Sequence, residues 1–500
     1  MARDPAGAPP PGRRTDVLLV HNAFTHDSRV LNEARGLAGL GDRVVVVAAA
    51  GRDLPAHAIR DGIEIHRFGF DPPDTRAWRN RSRVSRPWRF RRELAGWVRR
   101  RLAGRPSERA AAAAGIAGAI VILPWVGLTI AYHYGGRAID RLARVLGRRP
   151  PSPILGGWIE GRARSVLFAA HRPLRLRDWG RRVTAAVEDG TLPRATIWHA
   201  NDLETLPLAL GLRERFGGRV VYDSHELFLE AAGRARLGPL KRRVLRAAER
   251  RWVARVDGAV TVNAALAAEL ARRDGLDPVV VRNCPPAWRP APGFVSPLRA
   301  AVADHGLDPD WPIVIAHGGF QVHRGFEELL AAAEPLTRVG IVFLGYGALG
   351  DRFRAIAASD PWRGRLAVLP AVSPDELLGW LAGADIAACL IQPTTLNHRL
   401  STPNKMFEAI AAGLPLLAAD LPAIGPIVRE WGVGRLVDPA DIGAIRAGLE
   451  ELLARPDLRA ALADRARAAA AAELNWEHEF AALAALYAKV DGRGAPGGTA

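Results

Sequence analysis

Short apolar segments alternate with longer helical patterns along most of this chain of 500 residues. Asp16–His21 contains the apolar run VLLVH, a helical pattern covers Ser28–Leu40, and a second apolar run follows at Arg43–Ala49. Such alternation predicts parallel strands with crossover helices, in an α/β fold that binds ligands at the carboxyl ends of its strands. The same pattern predicts strands at Ala195–His199, Arg219–Asp223, Gly258–Val262, Pro312–His317, Gly340–Gly345, Arg365–Leu369, Asp385–Leu390 and Leu414–Ala418.

The predicted strands fall into two sets, which the proline-rich segment Pro285–Pro297 separates. We therefore expect two doubly wound, Rossmann-like domains that face each other across a cleft, a common location for ligands. The expected organisation is a first domain over 15–291 interrupted by a helical insertion over 71–186, a second domain over 292–473, a returning helix over 474–490, and disordered ends at 1–14 and 491–500.

One interval carries the positive charge of the chain. The formal net charge is +17, but residues 76–182 contain 25 arginines, no lysine and five acidic residues. Their local net charge of +20 leaves −3 for all other residues together. The interval also contains six of the 14 tryptophans and an uncharged stretch of 22 residues, Ala110–Ala131.

Arginine and tryptophan around an apolar stretch are typical of a segment at a lipid–water interface. A single membrane span is disfavoured, because it would place strands of one sheet on opposite sides of the bilayer. Pro124 and Gly127 favour a re-entrant or surface-lying helix, and a hairpin buried against the protein is the alternative. We therefore predict a membrane with anionic lipids as a partner of residues 76–182. No nucleic-acid module accompanies the basic residues, so we expect no nucleic acid.

Two further observations concern the compartment. Cys284 and Cys389 lie far apart in the sequence, which suits a reducing environment better than a disulfide scaffold. Met1–Arg14 lacks the apolar core of a signal peptide. We expect a cytoplasmic protein, peripheral or monotopic at the inner face of the cell membrane.

The segment STPNKMFEAIAAGLP, Ser401–Pro415, combines a helix start and a helix stop. Ser401 and Thr402 offer N-cap hydroxyls, and Pro403 suits the first helical position. Gly413 then predicts the end of the helix after about three turns. The free amides at such a helix start form an anion site that a diphosphate would fit.

Two side chains of this predicted helix suggest a ligand. Lys405 lies in the first turn, where a cation is best explained as the partner of a bound anion. Glu408 lies one turn later and can accept hydrogen bonds from a sugar diol. An ordinary capped amphipathic helix is the alternative interpretation.

These residues resemble the retaining nucleotide-sugar glycosyltransferases of the GT-B fold, in particular glycosyltransferase family 4. Pro403–Glu408 is similar to a branch of that family with Pro-Asn-Lys-x-Phe-Glu before an Ala-Gly-x-Pro turn. Of the family's Glu-x7-Glu pair, the second position is Glu408, whereas the first is Leu400. The resemblance covers most of 15–70 and 190–490. It implies a metal-independent transfer of a sugar from a nucleotide-diphosphate sugar to an acceptor hydroxyl.

A second match lies in AHGGFQVHRGFEEL, which resembles the family's Gly-Arg-Leu-x-x-x-Lys-Gly. Gly318 takes the position of the first glycine and Arg324 that of the lysine, while Gly319 replaces the arginine. The glycine-rich turn from Gly345 permits close approach of the backbone to a ligand. The donor-binding residues implied by the resemblance are Gly318, Arg324, Gly345, Thr402, Asn404, Lys405 and Glu408.

In the first domain, HDSRVLNEARGLAGLGDRVVVVA resembles the family's opening strand, loop and helix. Asp27, Arg29 and Glu33 are therefore acceptor-side candidates, and a local salt-bridge cluster is the alternative. Two later strands end in polar residues, which adds Asp202 and Glu226 to the acceptor side.

His225 matches the family's loop histidine near the donor sugar. It is the candidate catalytic residue together with Glu408, whereas His199 is interpreted as a core histidine.

No metal-ligand cluster is predicted, because the Asp308-Pro-Asp310 string belongs to a proline-broken turn. The resemblance implies retention of anomeric configuration by a same-face displacement without a protein nucleophile, and it requires no cofactor. The expected acceptor is a lipid-linked saccharide or another glycan precursor. A catalytically impaired GT-B pseudoenzyme that binds glycan or lipid and a GT-B nucleotide-sugar epimerase remain alternatives, as does a basic membrane scaffold.

Overall fold

The computed structural model describes residues 13–25, 27–51, 53–69, 175–231 and 237–492. The predicted interfacial stretch Ala110–Ala131 lies outside these residues, as does most of the basic interval 76–182. Among the described residues, no helix combines the length and the apolar character that crossing a bilayer requires.

The first sheet is built mainly from parallel strands in the order β3-β4-β2-β1-β5-β6-β7-β8. Its centre is buried on both faces, because β1 and β5 consist of residues without exposed side chains. In the register of β1 and β5, Leu18 lies opposite His199. The strands are β1 Thr15–Leu19, β2 Arg43–Ala49, β3 His57–Arg60, β4 Ile63–Phe68, β5 Ile197–Asn201, β6 Arg219–Ser224, β7 Gly258–Thr261 and β8 Val279–Val280.

The second sheet is parallel in the order β11-β10-β9-β12-β13-β14. Alternate residues of its strands enter two separate apolar clusters, so helices cover both faces. Two sheets of mostly parallel strands with flanking helices match the predicted α/β fold. The strands are β9 Ile313–Gly319, β10 Gly340–Tyr346, β11 Leu366–Pro370, β12 Ile386–Cys389, β13 Leu416–Ala419 and β14 Gly434–Val437.

Helices follow most strands, as the alternating pattern predicts. In the first-sheet region they are Ser28–Gly39, a helix over 175–188, Leu206–Phe216, Pro239–Val253 and Ala264–Asp274. In the second-sheet region they are Leu298–Asp304, Phe326–Ala333, Gly350–Ala357, Pro374–Leu381, Leu396–Arg399, Asn404–Ala411, Gly425–Trp431, Ile442–Ala454 and Pro456–Ala472. The last helix, Trp476–Asp491, packs against helix Ser28–Gly39, β7 and β8.

The described residues within 13–46, 59–64 and 194–492 belong to one compact unit, which contains the second sheet and the central part of the first. Those within 47–58 and 65–193 belong to another. In that other unit, Trp179 is buried on helix 175–188 and donates a hydrogen bond to Ala48 O at 3.2 Å.

Two features of the first sheet depart from the prediction. β3 and β4 were not predicted, although the Asp61-Gly62 turn between them, with φ angles of 54° and 77°, is a hairpin signal. Arg14 belongs to the packed structure and not to a disordered end, because its buried guanidinium donates to the carboxylate of Asp42 and so offsets the cost of burial.

Candidate active site

A polar cavity of about 770 Å³ collects most of the predicted site residues within the larger unit. First-sheet residues Asp27, Arg29 and His225 contribute to one side of its lining. The other side contains Gly318, Arg324, Thr402, Asn404, Lys405 and Glu408. Both sets follow the carboxyl ends of parallel strands, where a doubly wound fold places its ligands.

Strand periodicity explains how Glu408 is fixed. Ile313, Ile315 and His317 share one face of β9, and the first two belong to the apolar cluster that includes Phe407. The helix Asn404–Ala411 packs on this face, which brings Glu408 within reach of His317. His317 Nε2 and Glu408 Oε2 are 2.9 Å apart, and the imidazole is buried. The sequence analysis did not include His317, although its place at the end of a buried strand was a usable signal.

The start of this helix differs from the prediction. The helix begins at Asn404, Pro403 is its N-cap with extended backbone angles, and no side chain caps it. Thr402 precedes this N-cap, and its hydroxyl accepts from Asn263 Nδ2 at 3.2 Å and approaches Val262 O at 3.5 Å. The uncapped first-turn amides of Asn404 and Lys405 belong to residues that line the cavity.

Two cations lie beside this helix start. Lys405 Nζ donates to Arg324 O at 3.2 Å and lies 5.6 Å from the ring centre of Phe326. Burial lowers the pKa of Lys405. Arg324 forms no ion pair with the residues that the structure describes, although its side chain lines the cavity. Gly325 permits this arrangement, because its φ is 84° and a Cβ there would lie 2.3 Å from Leu390 O.

His225 follows β6 and is held by two carboxylates. Its Nε2 donates to Asp223 Oδ2 at 3.0 Å, and its Nδ1 lies 3.4 Å from Asp202 Oδ1. Burial alone would lower the pKa of His225, but the charges of Asp223 and Asp202 outweigh it and raise the pKa to about 10. His225 is therefore an imidazolium at neutral pH, with 23% of its side chain exposed at the cavity.

Arg29 binds the same carboxylate from the neighbouring helix. Its Nε donates to Asp223 Oδ2 at 2.7 Å and lies 3.2 Å from Glu33 Oε1, one turn along helix Ser28–Gly39. Burial would raise the pKa of Asp223, but the Arg29 and His225 cations lower it well below its usual range. For Glu33, burial and the Asp223 charge raise the pKa, although Arg29 opposes them.

His199 completes the buried cluster behind the cavity. Its Nδ1 is 2.6 Å from the hydroxyl of Tyr487 on the last helix, and burial lowers its pKa to about 4. This neutral, fully buried ring agrees with its interpretation as a core histidine. Sequence reasoning could not connect Tyr487 with this cluster, because β5, which carries His199, and the last helix are joined only by tertiary packing.

Glu33, His199 and Asp223 each offer a ligand atom within 4.8 Å of the others, a spacing that could hold a metal ion. The charges around these three residues argue against a metal ion at this position. Asp223 is already paired with Arg29 and His225, and Arg29 also lies 3.2 Å from Glu33. The trio therefore has little negative charge left for a divalent cation, and we interpret it as a buried ion-pair cluster.

Direct contacts join the two sheet regions beside the cavity. Asn397 Nδ2 donates to Glu226 Oε2 at 2.9 Å, and Asn397 Oδ1 accepts from Leu227 N at 2.8 Å. Asn263 Nδ2 also donates to Leu400 O at 2.9 Å. Leu400 thus contributes a backbone oxygen to the contacts between the two sheet regions. Glu226 takes part in these contacts and does not line the 770 Å³ cavity.

A second cavity of about 1060 Å³ adjoins the first, because Asp27, Asn404 and Glu408 line both. Its other lining residues include the apolar side chains Phe24, Trp288, Tyr346, Val372 and Leu377. Gly345 lines neither cavity. Its φ is 157°, and a Cβ there would lie 2.0 Å from Gly318 O, so glycine is required for the close packing of β10 on β9.

Residues 299–469 match a family model described as Glycosyl transferases group 1. The segment that carries the second sheet is therefore a group 1 glycosyltransferase domain, which confirms the resemblance found in the sequence. One similar curated protein is the D-inositol 3-phosphate glycosyltransferase of Rhodococcus jostii (strain RHA1), which is 28% identical over 294 residues. That match covers 55% of this chain and 62% of the relative's length.

Solved structures support the fold of the residues that the structure describes. Sucrose-phosphate synthase from Thermosynechococcus elongatus has a TM-score of 0.62 at 16% identity, covering 96% of this chain and 99% of that one. HepE of Anabaena, solved in complex with UDP-glucose, has a TM-score of 0.58 at 11% identity, covering 96% and 98% of the two chains. The predicted GT-B architecture is confirmed by this agreement.

The charge on His225 predicts a specific pH behaviour. In the folded protein its pKa of about 10 exceeds the ordinary value of about 6.5. The pairing therefore stabilises the fold fully below about pH 6.5 and is lost as the pH rises through about 10. We expect the ring resonances of His225 to show no titration in NMR spectra between about pH 5 and pH 8.

Asp223→Asn should lower the pKa of His225, because it removes the carboxylate charge while keeping an oxygen acceptor. Asp420→Asn, which removes an exposed carboxylate paired with Arg429, is the matched control and should leave the His225 resonances unchanged. A wild-type His225 that titrates near pH 6.5 would contradict the assigned charge.

Proposed function

We propose that this protein transfers a sugar from a nucleotide-diphosphate sugar to an acceptor hydroxyl within the 770 Å³ cavity. One observation carries the proposal. Two cations and an uncapped helix start face, in the same cavity, a histidine held between two carboxylates on the first-sheet side. The two cations and the helix start suit a diphosphate, and the histidine suits the reacting sugar.

The diphosphate would bind at the start of helix Asn404–Ala411. Amides of the first turn donate to anions, and Arg324 adds a positive charge that is not compensated by any described carboxylate. Lys405 adds a second cation, and its Nζ donates to the backbone oxygen of Arg324. Gly319 replaces the arginine of the resembled motif, so Arg324 carries a larger share of the charge that develops on the leaving diphosphate.

The nucleoside would extend from the first cavity into the second. Glu408 lies where the two meet, which places a carboxylate at the position of the ribose between diphosphate and base. His317 holds one oxygen of Glu408, so the carboxylate is oriented before a ribose diol binds. The apolar side chains of the second cavity, including Tyr346 and Val372, suit the faces of a planar base.

The protonation of His225 restricts its chemical role. An imidazolium has no free lone pair, so His225 does not act as a general base. Its Nε2–H is donated to Asp223, so a sugar hydroxyl would accept from Nδ1–H, whose nitrogen lies 3.4 Å from Asp202 Oδ1. In a same-face displacement, the bond from the anomeric carbon to the diphosphate breaks and the bond to the acceptor oxygen forms. The acceptor proton then passes to an oxygen of the departing diphosphate. Retention of configuration follows without a protein nucleophile.

The acceptor side suits a neutral hydroxyl. Arg29 and His225 are the cations among the described residues that line this side, and both are paired with Asp223. Asp27 adds a carboxylate, and its neighbours in the lining include Asn22 and Ser28. The R. jostii relative is named for D-inositol 3-phosphate, whose phosphate would meet no unpaired described cation here. We infer a lipid-linked saccharide or another glycan precursor that presents a neutral hydroxyl.

Membrane attachment through residues 76–182 would bring the enzyme to such an acceptor at the inner face of the cell membrane. The support is the local net charge of +20, six tryptophans and the uncharged stretch Ala110–Ala131. Each basic residue near an anionic surface contributes about 1 kcal/mol. A subset of the 25 arginines would therefore suffice for binding.

Glu408→Gln and Arg324→Ala test the donor site. Each should lower the rate of transfer about 100-fold, since one charge-assisted contact to a transition state is worth roughly 3 kcal/mol. The measurement is product formation by mass spectrometry, with a panel of nucleotide sugars and with lipid-linked and free saccharide acceptors. The wild-type protein first establishes which donor is consumed.

Glu450→Gln and Arg363→Ala are matched controls, because both residues are exposed and distant in sequence from the cavity lining. They should retain wild-type rates. Near-normal transfer by both site variants would reject the donor site. Binding of a nucleotide sugar without transfer or hydrolysis under every condition would favour the pseudoenzyme, and interconversion of free nucleotide sugars would favour the epimerase.

Deletion of Ala110–Ala131 tests the membrane proposal. The shortened protein should move from the membrane to the soluble fraction while it still binds nucleotide, because burial of this apolar stretch would supply salt-resistant attachment. High salt alone should release the full-length protein only in part. Full-length protein that does not sediment with anionic liposomes would contradict attachment.

A further inference from the structure

Helix Pro239–Val253 is fastened to the protein by arginines on its inner side. Arg242 donates to Glu230, and Arg246 donates to Glu249 Oε2 at 2.8 Å while its Nη2 lies 3.0 Å from Asp274 Oδ1. These partners are half-buried or buried. The inner side of the helix therefore combines ion pairs to Glu230 and Asp274 with the buried side chain of Val253.

The outer side of this helix carries an unusual apolar stripe. Leu240 is 76% exposed and Val244 is 61% exposed, although both are large aliphatic side chains. Ala247 is also exposed. The spacing of four and three residues places all three on one stripe of the helix. Single exposed apolar residues need no explanation, but a continuous stripe indicates contact with something apolar.

Cations flank this stripe. Lys241, Arg243 and Arg251 are exposed, and none of them forms an ion pair with the residues that the structure describes. Glu249, the one acidic residue of the helix, is buried and paired with Arg246. The outer face therefore combines aliphatic and basic side chains without an exposed carboxylate of its own. We refer to Leu240, Lys241, Arg243, Val244, Ala247 and Arg251 as the 239–253 surface.

We infer that the 239–253 surface docks on the surface of an anionic lipid bilayer. Cations suit the head groups, and the aliphatic stripe suits the boundary of the acyl chains below them. A nucleic acid would use the cations but leave Leu240 and Val244 exposed to water. An acidic protein would need a concave complement, whereas this surface is a single convex helix. The charge and shape together favour the bilayer.

The inference adds a second membrane-facing surface to the proposed function and does not depend on residues 76–182. A helix that lies on the bilayer would orient the protein, since one attachment point alone permits rotation about it. The contribution of the 239–253 surface to bilayer binding can be measured in the full-length chain and again in the chain that lacks Ala110–Ala131.

The test is co-sedimentation with vesicles of phosphatidylcholine containing about a quarter phosphatidylglycerol. Leu240→Ser with Val244→Ser should lower the partition coefficient about tenfold, because burial of two aliphatic side chains is lost. Lys241→Gln with Arg243→Gln and Arg251→Gln should lower it about 100-fold, since each cation contributes about fivefold. Vesicles of phosphatidylcholine alone should bind both wild type and variants weakly.

Two control variants match these changes elsewhere. Val295→Ser removes an aliphatic side chain that is 83% exposed, and Arg338→Gln with Arg352→Gln and Arg363→Gln changes the net charge by the same amount. Both controls should keep wild-type binding. Circular dichroism and nucleotide binding establish that every variant is folded.

The outcomes separate this inference from the proposed function. Loss of binding with both sets of 239–253 variants, in the full-length chain, supports the bilayer contact whatever the deletion of Ala110–Ala131 does. Binding equal to that of the controls overturns it, even if the deletion abolishes attachment. A loss confined to the charge variants, together with retention on RNA or heparin columns, also overturns it in favour of a soluble polyanion. Transfer activity is scored independently of all these results.

Discussion

The carboxylate of Asp223 is the point on which the first-sheet side of the site depends. It is fully buried at the end of β6 and receives hydrogen bonds from both Arg29 and His225. A buried charge is tolerated only when it is paired, so the two cations are needed as much for the fold as for the cavity. Because both cations also line the cavity, the same pairing fixes the direction from which a ligand meets them. Glu33 and the neutral His199 close the cluster from behind.

On the other side of the cavity, the peptide backbone supplies much of the binding surface. The start of helix Asn404–Ala411 has no side-chain cap, because its N-cap residue is Pro403. Leaving first-turn amides uncapped costs roughly 1 kcal/mol of stability, which a bound anion can offset. Next to this helix start, Asn263 donates to both Leu400 O and the Thr402 hydroxyl, so one side chain holds the two sheet regions together.

Much of this architecture could be predicted from the sequence, for physical reasons that differ between elements. Buried parallel strands such as β2 and β9 are continuous apolar runs, so their positions follow from hydropathy alone. Motifs at strand and helix ends predicted Arg324, Lys405 and Glu408 as donor-binding residues, and all three line one cavity.

Other features depend on contacts between residues far apart in the chain. Residues 317 and 408 are 91 positions apart, and residues 199 and 487 are 288 apart. No local pattern encodes these pairs. The predicted cap was wrong because the helix begins at Asn404, which makes Pro403, a residue without a capping group, the N-cap.

The central claim is that Glu408, oriented by His317, holds the ribose of a nucleoside diphosphate where the two cavities meet. Isothermal titration calorimetry tests it most directly, with whichever of UDP, GDP and ADP binds tightest and with the 2′,3′-dideoxy form of that nucleotide. Wild type should lose about tenfold or more in affinity when the ribose hydroxyls are absent. Glu408→Gln should bind both nucleotides equally weakly, which gives a strong coupling in the double-mutant cycle. Additive losses from the substitution and from the missing hydroxyls would contradict the account.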